Sequence, residues 1–391
     1  MKITGLFASS QHEFLEVFNR QLGFSSPKLF SRRITASEAI VSRIGVSGEL
    51  IGHEGSVNTI EFNYCGDVLV SGSDDRQVML WNVTTKSLLL SYASGHVDRI
   101  FQARIMPFTD DSSIVTSAAD GQVRLGKVTG NGRVETKLLG EHDGRVHKLA
   151  VEPGSSHIFY SCGEDGLVQH FDLRTNSPTK LFYCSSFTGT NYQYSSSNNL
   201  RLNSIIIDPR NANYFSIGGS DEYARLYDNR IVHQGPASGN AGRPVNTFCP
   251  KHLIKTHDTH VTGMSYSNTS ELLVSYSSDL ISLFQKDMGL GPYPVALSKD
   301  HLDSLEEPQT YSGHRNSLTL KGVSFFGPNS EYVMSGSDCG HIFIWSKKDG
   351  RFVHVMEGDR RIVSQVEPHP NIPVLASSGL EKSIKLWAPV L

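Results

Sequence analysis

Short runs of alternating apolar and polar residues recur along the chain, and turn residues separate them. In the first set, residues 57–62 (VNTIEF), 68–75 (VLVSGSDD) and 78–81 (VMLW) follow one another with brief breaks. A period of two over runs of this length is typical of β-strands. No apolar stretch approaches 18 residues, so the pattern predicts no membrane-spanning helix. The sequence therefore predicts an all-β protein built from many short strands.

The strand sets repeat. A Gly52-His53 pair opens the first set, and Trp81 closes it 28 residues later, which resembles the WD repeat, the four-stranded blade of a β-propeller. Seven positions align with this tryptophan, at spacings of 45, 45, 56, 57, 61 and 42 residues. They are Trp81, Gly126, Phe171, Tyr227, Phe284, Trp345 and Trp387. This resemblance implies a seven-bladed WD40 β-propeller with a short N-terminal helical extension.

The ends of the chain predict two regions and the way in which the ring closes. We expect residues 1–38 to form an N-terminal extension and residues 39–391 to form the propeller. The chain ends four residues after Trp387, so the last repeat has room for only three strands. The apolar run that precedes Gly52 is expected to supply the fourth strand. Ring closure would remove a sheet edge that otherwise invites aggregation.

Histidine and aspartate recur at fixed places in the repeats. A histidine opens four repeats, and an aspartate lies six residues before the tryptophan position in four. The histidines are His53, His96, His142 and His314, and the aspartates are Asp75, Asp120, Asp165 and Asp221. In the first blade, the WD resemblance implies a hydrogen-bonded tetrad of His53, Ser73, Asp75 and Trp81. Recurrence favours a structural over a catalytic role, because an active site normally occurs once.

One short motif has the residue types of a zinc site. Cys249, His252, His257 and His260 are spaced as zinc ligands often are. The fifth blade, however, needs either His257 or His260 as its opening histidine. The chain also lacks a Gly-x-Ser-x-Gly elbow and a phosphate-binding glycine loop. We therefore expect no metal, no cofactor and no enzymatic activity, with an enzyme or a metal protein kept as an alternative.

Charge and cysteine content narrow the class of partner and the compartment. The 36 basic and 39 acidic residues give a net charge of −3, and no run of five basic residues occurs. A protein that coats nucleic acid is therefore not expected. The five cysteines are scattered, which is typical of reduced thiols. We expect a protein of the nucleus and cytoplasm.

Segments outside the repeats are candidates for binding. Residues 184–200, 233–247 and 287–308 have the composition of surface loops, which either bind partners or simply link strands. Residues 10–23 have a helical pattern. It begins with a capping box, Ser10-x-x-Glu13, and continues with an apolar stripe of Phe14, Leu15, Phe18 and Leu22. This helix is expected either to pack on the side of the propeller or to dock into a groove of a partner.

Two neighbouring repeats carry an arginine just after the third strand. They read Phe171-Asp172-Leu173-Arg174 and Tyr227-Asp228-Asn229-Arg230. Both resemble the W-D-x-R box of substrate receptors that dock onto damage-specific DNA-binding protein 1 (DDB1), the adaptor of cullin-4 ubiquitin ligases. Equivalent positions on adjacent blades lie on the same rim of the disc. An arginine fork suits a partner contact, although each arginine could instead pair with its own aspartate.

Further strings resemble the DDB1- and CUL4-associated factor 8 group, from about residue 40 to the end. They are residues 52–59 (GHEGSVNT), 120–124 (DGQVR), 248–253 (FCPKHL), 335–343 (SGSDCGHIF), 367–370 (EPHP) and 386–389 (LWAP). This resemblance implies a non-catalytic substrate receptor that presents an unknown target protein. It also implies adaptor contacts by Asp172, Arg174, Asp228 and Arg230, and by Phe14, Leu15 and Phe18 of the helix. The alternative is a WD-repeat scaffold in another assembly.

Overall fold

The structure is a ring of seven four-stranded antiparallel sheets. It is a computed structural model that describes residues 15–24, 26, 30, 33–175, 177–187, 199–233, 242–256, 258–294 and 304–390. In each sheet the strands run from the inside of the ring to the outside in chain order, apart from the last sheet. The seven-bladed propeller predicted from the repeats is confirmed.

The strands of the first three blades begin and end as follows. Blade 1 has β2 (Val57–Phe62), β3 (Val68–Ser73), β4 (Gln77–Asn82) and β5 (Ser87–Ala93). Blade 2 has β6 (Ile100–Ile105), β7 (Ser113–Ala118), β8 (Gln122–Val128) and β9 (Val134–Glu141). Blade 3 has β10 (Val146–Val151), β11 (Ile158–Gly163), β12 (Leu167–Asp172) and β13 (Thr179–Tyr183).

The remaining blades contain shorter outer strands. Blade 4 has β14 (Leu202–Ile207), β15 (Tyr214–Gly219), β16 (Ala224–Asp228) and β17 (Asn246–Phe248). Blade 5 has β18 (Val261–Tyr266), β19 (Leu272–Tyr276), β20 (Ile281–Phe284) and β21 (Gln309–Tyr311). Blade 6 has β22 (Val323–Phe326), β23 (Tyr332–Gly336), β24 (His341–Ser346) and β25 (Phe352–Glu357). Blade 7 has β26 (Val363–Pro368), β27 (Leu375–Gly379), β28 (Ser383–Pro389) and β1 (Ile44–Ile51).

The N-terminal strand β1 is the outer strand of blade 7. It pairs antiparallel with β28 from Ile44 opposite Pro389 to Ile51 opposite Ser383. The two ends of the chain therefore complete one sheet, and the edge of β28 is covered by backbone hydrogen bonds. The pairing couples the first and last repeats, since neither alone supplies four strands to this blade.

The seven aligned positions occupy the same place in the third strand of each blade. Each pairs with an apolar residue of the second strand, as Trp81 does with Leu69 and Trp387 does with Leu375. In blade 2 the position is Gly126, and a Cβ atom there would lie 2.9 Å from Cε2 of Tyr92, which comes from β5 of blade 1. The Tyr92 ring thus fills the space that a large side chain takes in the other blades.

Packing between blades forms the core. Between blades 1 and 2, for example, Val70, Val78 and Leu80 pack against Ile100 and Ile114, all of them buried. The second strand β3 is buried along most of its length, whereas the outer strand β5 is mostly exposed. The apolar area removed from water lies between neighbouring sheets, so each blade depends on the next one.

Short helices lie at the margins of the ring. Residues 15–21 are helical, and we call them the N-terminal helix. Four-residue helices occur at Glu38–Val41 and Asn229–Val232, and a 3-10 helix occurs at Lys251–Leu253. Val41 is buried among the apolar side chains of blades 6 and 7. The segment between the N-terminal helix and β1 is therefore anchored to the propeller.

Candidate partner-binding surface

The ring has two distinct rims, which we name by their residues. The arginine rim holds the turns between first and second strands and between third and fourth strands, including Arg174 and Arg230. The histidine rim holds the opposite turns, including His53 and Asp75. Asp172 ends β12 opposite Ile158, and Asp228 ends β16 opposite Tyr214. The two Asp-x-Arg boxes thus occupy equivalent places on adjacent blades.

Each arginine of the two boxes forms a fork with its own aspartate. In blade 3, Arg174 Nε and Nη2 lie 2.9 and 2.7 Å from Asp172 Oδ1 and Oδ2. In blade 4, the corresponding Arg230 distances to Asp228 are 3.0 and 2.6 Å. The within-blade pairing considered as an alternative is therefore present. The fork fixes the direction of each guanidinium group, because it uses two parallel hydrogen bonds.

Pairing leaves both guanidinium groups accessible. The side chains of Arg174 and Arg230 are 66% and 63% exposed, whereas their aspartates are largely covered. Hydrogen bonds from Arg174 lower the pKa of Asp172 to about 2, and Arg230 lowers the pKa of Asp228 in the same way. Ion pairs in water stabilise a fold only slightly. The arrangement orients two cations toward solvent, which is what a partner surface requires.

The two boxes are also tied to each other. Asn229, inside the blade 4 box, donates a 2.7 Å hydrogen bond through Nδ2 to Tyr160 Oη of β11 in blade 3. The rings of His170 and His233 meet edge to face, with centroids 4.9 Å apart, across the same pair of blades. These contacts hold the boxes at a fixed separation.

Residues 36–38, between the N-terminal helix and β1, lie on the arginine rim as well. Tyr332, the first residue of β23, donates a 2.7 Å hydrogen bond to the Ala36 carbonyl oxygen. Arg351, in the turn before β25, forms two 2.7 Å contacts with the carboxylate of Glu38. These bonds place the segment on blade 6, on the rim that carries the Asp-x-Arg boxes.

The N-terminal helix exposes its apolar stripe. Leu15 and Phe18 are 55% and 47% exposed, and Leu22 is exposed as well. Glu16, in contrast, is buried and forms an ion pair with Arg33 at 3.0 Å. Of the predicted anchors, Phe14 lies outside the described residues. The described part of the stripe is thus not covered by the propeller, contrary to the alternative that it packs on its side.

The histidine rim contains the predicted network, but with a different serine. His53 Nδ1 lies 2.9 Å from Asp75 Oδ2, and His53 Nε2 lies 2.7 Å from Ser71 Oγ. Trp81 Nε1 donates to the same Ser71 oxygen at 2.9 Å. Ser73, which the sequence analysis placed in the tetrad, instead accepts the backbone N–H of Asp75 at 3.2 Å. The prediction of Ser73 was wrong because this residue ends β3 and caps the turn.

The same arrangement recurs in blades 2 and 3. His96 joins Asp120 and Thr116, and His142 joins Asp165 and Ser161. In all three blades the hydroxyl residue lies four positions before the aspartate, a sequence signal that identifies Ser71. Burial lowers the pKa of His53, which favours a neutral ring that donates to Asp75. The His, Asp and hydroxyl side chains of these networks therefore form their hydrogen bonds within their own blades.

Later blades replace the network with other buried pairs. In blade 4, Arg225 takes the place of a histidine and pairs with Asp221. In blade 6, Lys321 pairs with Asp338. In blade 7, Lys385 joins Asp359 and Glu381 at 3.0 Å each. Each substitution keeps opposite charges together, so the turn stays fixed although its chemistry changes.

The cysteine and histidine motif does not form a cluster where it can be described. Cys249 is buried, and its burial raises the pKa of the thiol. His252 Nε2 lies 2.7 Å from Asp279 Oδ2, and His257 is outside the described residues. Among the residues with described positions, no group of three or more His, Cys, Asp or Glu side chains could hold a metal ion.

A cavity of about 460 Å³ lies in the middle of the ring and extends to the arginine rim. Its wall contains Glu367, Glu61, Arg104 and Lys148, from the first strands of blades 7, 1, 2 and 3 in order around the ring. Arg104 pairs with Glu61. Burial, followed by repulsion from Glu61, raises the pKa of Glu367 to about 8. This charged wall was not predicted from the sequence, where its signal is one charged residue in the first strand of each of these four blades.

Comparison with known proteins supports the fold and the resemblance. The WD domain, G-beta repeat family matches residues 45–82 and 305–346. The chain therefore contains WD repeats. It is 34% identical over 66% of its length to Protein ALTERED SEED GERMINATION 2 of Arabidopsis thaliana, covering 38% of that protein. It is 30% identical over 77% of its length to DDB1- and CUL4-associated factor 6 of Mus musculus, covering 34% of it.

A third relative extends the similarity along more of the chain. WD and tetratricopeptide repeats protein 1 of Mus musculus is 29% identical over 82% of the WD-repeat chain, which covers 51% of that relative. The chain thus spans between about a third and a half of the length of these relatives. The predicted resemblance to the DDB1- and CUL4-associated factors is confirmed by the similarity to factor 6. Within the described ranges, no helix is long and apolar enough to cross a membrane.

Proposed function

We propose that this WD-repeat protein is a non-catalytic substrate receptor of a cullin-4 RING ubiquitin ligase, and that it docks onto a DDB1-type adaptor through its arginine rim. The observation that carries the proposal is the pair of oriented, exposed Asp–Arg forks on adjacent blades. The printed name of one relative, DDB1- and CUL4-associated factor 6, supports the same partner.

In this proposal the adaptor contacts two features of one rim. Arg174 and Arg230 donate to carboxylates or carbonyl oxygens of the adaptor, while Asp172 and Asp228 keep them oriented. Leu15 and Phe18 of the N-terminal helix, together with Phe14 before it in the chain, supply apolar anchors that suit a groove of the partner. Arginine and aromatic residues are the usual energetic centres of such interfaces.

The receptor performs no chemistry under this proposal. It holds a target protein near the ubiquitin-charged enzyme, so that proximity accelerates transfer. We place the target on the histidine rim and on neighbouring loops, because the adaptor occupies the part of the arginine rim that carries the two Asp-x-Arg boxes. No nucleic acid, membrane or cofactor takes part, and the site of action is the nucleus and cytoplasm.

A scaffold role in another assembly is the second candidate. It is favoured by the Asp–Arg pairing itself, because a paired arginine has a structural role even without a partner. Binding of purified DDB1 to the full chain separates the two candidates. Binding that depends on Arg174 and Arg230 supports the receptor, and no binding to the folded chain supports the scaffold.

A further inference from the structure

Two large aromatic side chains project from adjacent turns of the arginine rim. Tyr64 lies in the turn between β2 and β3 of blade 1, and Phe108 lies in the equivalent turn of blade 2. They are 80% and 70% exposed, and their ring centroids are 6.4 Å apart with planes inclined by 42°. Aromatic rings usually bury most of their area, so two exposed rings in contact indicate a surface that binds something.

The two turns are fixed to each other below the rings. The buried side chain of Asn63 donates through Nδ2 to Asp67 Oδ1 at 2.8 Å and to Asp111 Oδ2 at 2.7 Å. Its Oδ1 accepts the backbone N–H of Gly66 at 2.8 Å. One asparagine therefore links blade 1 to blade 2 and organises both turns. The rings are presented by a rigid base, which reduces the entropy lost when a ligand binds.

The turn of blade 2 holds its exposed ring in an unfavourable backbone conformation. Phe108, Asp110 and Asp111 have φ values of 58°, 51° and 55°, in the left-handed region that favours glycine. The equivalent turn of blade 3 uses Gly154 at φ 81°. A bulky residue kept at positive φ on the surface adds nothing to the core. Such strain is commonly found where a side chain serves recognition.

The charge around the rings defines what would bind. The turns 63–67 and 106–112 contain Asp67, Asp110 and Asp111, and neither turn contains lysine or arginine. Asp110, two residues after Phe108 in the chain, is exposed. The faces of aromatic rings are electronegative and attract cations within about 6 Å of the ring centroid. Rings and carboxylates together favour a positively charged group that also has an apolar stem.

We infer that Tyr64 and Phe108, with the aspartates of their turns, form a recognition site for an arginine or lysine side chain in an extended segment of a partner protein. The aliphatic stem would pack on the rings, and the cation would lie over a ring face near the carboxylates. The site lies on blades 1 and 2, apart from the Asp-x-Arg boxes of blades 3 and 4. It does not depend on adaptor docking.

The test is calorimetric titration of the full chain with a capped octapeptide of alternating glycine and arginine. Matched peptides replace arginine by lysine, glutamine or glutamate. We expect binding of the arginine and lysine peptides at least about tenfold tighter than that of the glutamine peptide. Equal affinity for the glutamine peptide, or no binding of either cationic peptide, would overturn the inference.

Variants assign the binding to the rings. Phe108→Gly removes one ring and also relieves the positive φ, so the protein should stay folded, and Tyr64→Ala removes the other. The double variant should bind the arginine peptide about tenfold more weakly or worse. Leu318→Ala, an exposed residue of the histidine rim, is the matched control and should leave the affinity unchanged. Undiminished binding by the folded double variant would contradict the site, whatever the chain's affinity for DDB1.

Discussion

Asn229 and Tyr160 join two blades by a single 2.7 Å hydrogen bond from Nδ2 of Asn229 to the phenol oxygen. Asn229 is the third residue of the blade 4 box, between Asp228 and Arg230, so the bond fixes this box against the second strand of blade 3. The separation of the two arginines is thus set by packing between blades. An adaptor that binds both arginines would therefore meet them at a separation that is already fixed before binding.

The first prediction concerns both arginines. The double change Arg174→Ala with Arg230→Ala should weaken DDB1 binding about tenfold or more, because charge-assisted hydrogen bonds at interfaces are worth about 1.5–3 kcal/mol each. Deletion of residues 10–23 should weaken it further. Neither change should unfold the propeller, because exposed ion pairs contribute little to stability and the described part of the deleted segment contributes no strand to the ring. A quantitative pull-down with a parallel melting curve measures both quantities.

The matched control is Arg99→Ala. Arg99 is also an exposed arginine beside an aspartate, Asp98, but it precedes β6 on the histidine rim. It should leave adaptor binding unchanged. Full binding by a folded double variant would mean that the N-terminal helix alone carries the contact.

The second prediction separates the two serines of blade 1. Ser71→Ala removes the hydroxyl that bonds both His53 and Trp81, so it should lower the free energy of unfolding by about 1–3 kcal/mol. Ser73→Ala removes one bond to a turn N–H and should cost less. His53→Ala should destabilise to a degree similar to Ser71→Ala. Urea unfolding of the three variants measures these losses in the free energy of unfolding. An equal loss for the two serine variants would argue against this network.

The third prediction concerns the glycine in the tryptophan position of blade 2. Gly126→Ala should destabilise the protein, because the new methyl group would meet the phenol of Tyr92. Overpacking of this kind typically costs about 1–3 kcal/mol. Tyr92→Leu should rescue part of the loss in the double variant, because it removes the ring from that space. Thermal melting of the two single variants and the double variant measures the coupling; strictly additive losses would exclude it.

The fourth prediction concerns Glu367, whose carboxyl group belongs to the wall of the central cavity. Its pKa is about 8 in the fold, raised from an ordinary value of 4.5 by burial and by Glu61. Between these two pH values the folded state holds a proton that the unfolded state has lost. Stability from this group is therefore present below pH 4.5 and falls as pH rises toward 8.

Glu367→Gln mimics the protonated form and should remove this loss. Relative to the wild type, the variant should gain about 1 kcal/mol or more of stability between pH 5 and pH 8.5. Urea unfolding at several pH values measures it. Glu357→Gln, at the exposed end of the outer strand of blade 6, is the control for the loss of one carboxylate. A difference between variant and wild type that stays constant with pH would contradict the raised pKa of Glu367.

The number of blades and their closure could be predicted from the repeats alone. Alternation with period two fixes which residues face the neighbouring sheets, and the recurrence of Trp81 and its equivalents fixes the register of each third strand. Apart from the closing pair of β1 and β28, such information is local, because hydrogen bonds within one blade join residues that are close in sequence. The Asp-x-Arg boxes were visible for the same reason, since each aspartate and its arginine are two residues apart.

Contacts between blades could not be predicted in this way. Tyr92 fills the space above Gly126, Asn229 reaches Tyr160, and Asn63 reaches Asp111, each across a boundary between two sheets. Such partners lie 34 to 69 residues apart in the chain, and no periodicity relates them. Side-chain packing between sheets decides these features, because it depends on distances that only the closed ring defines.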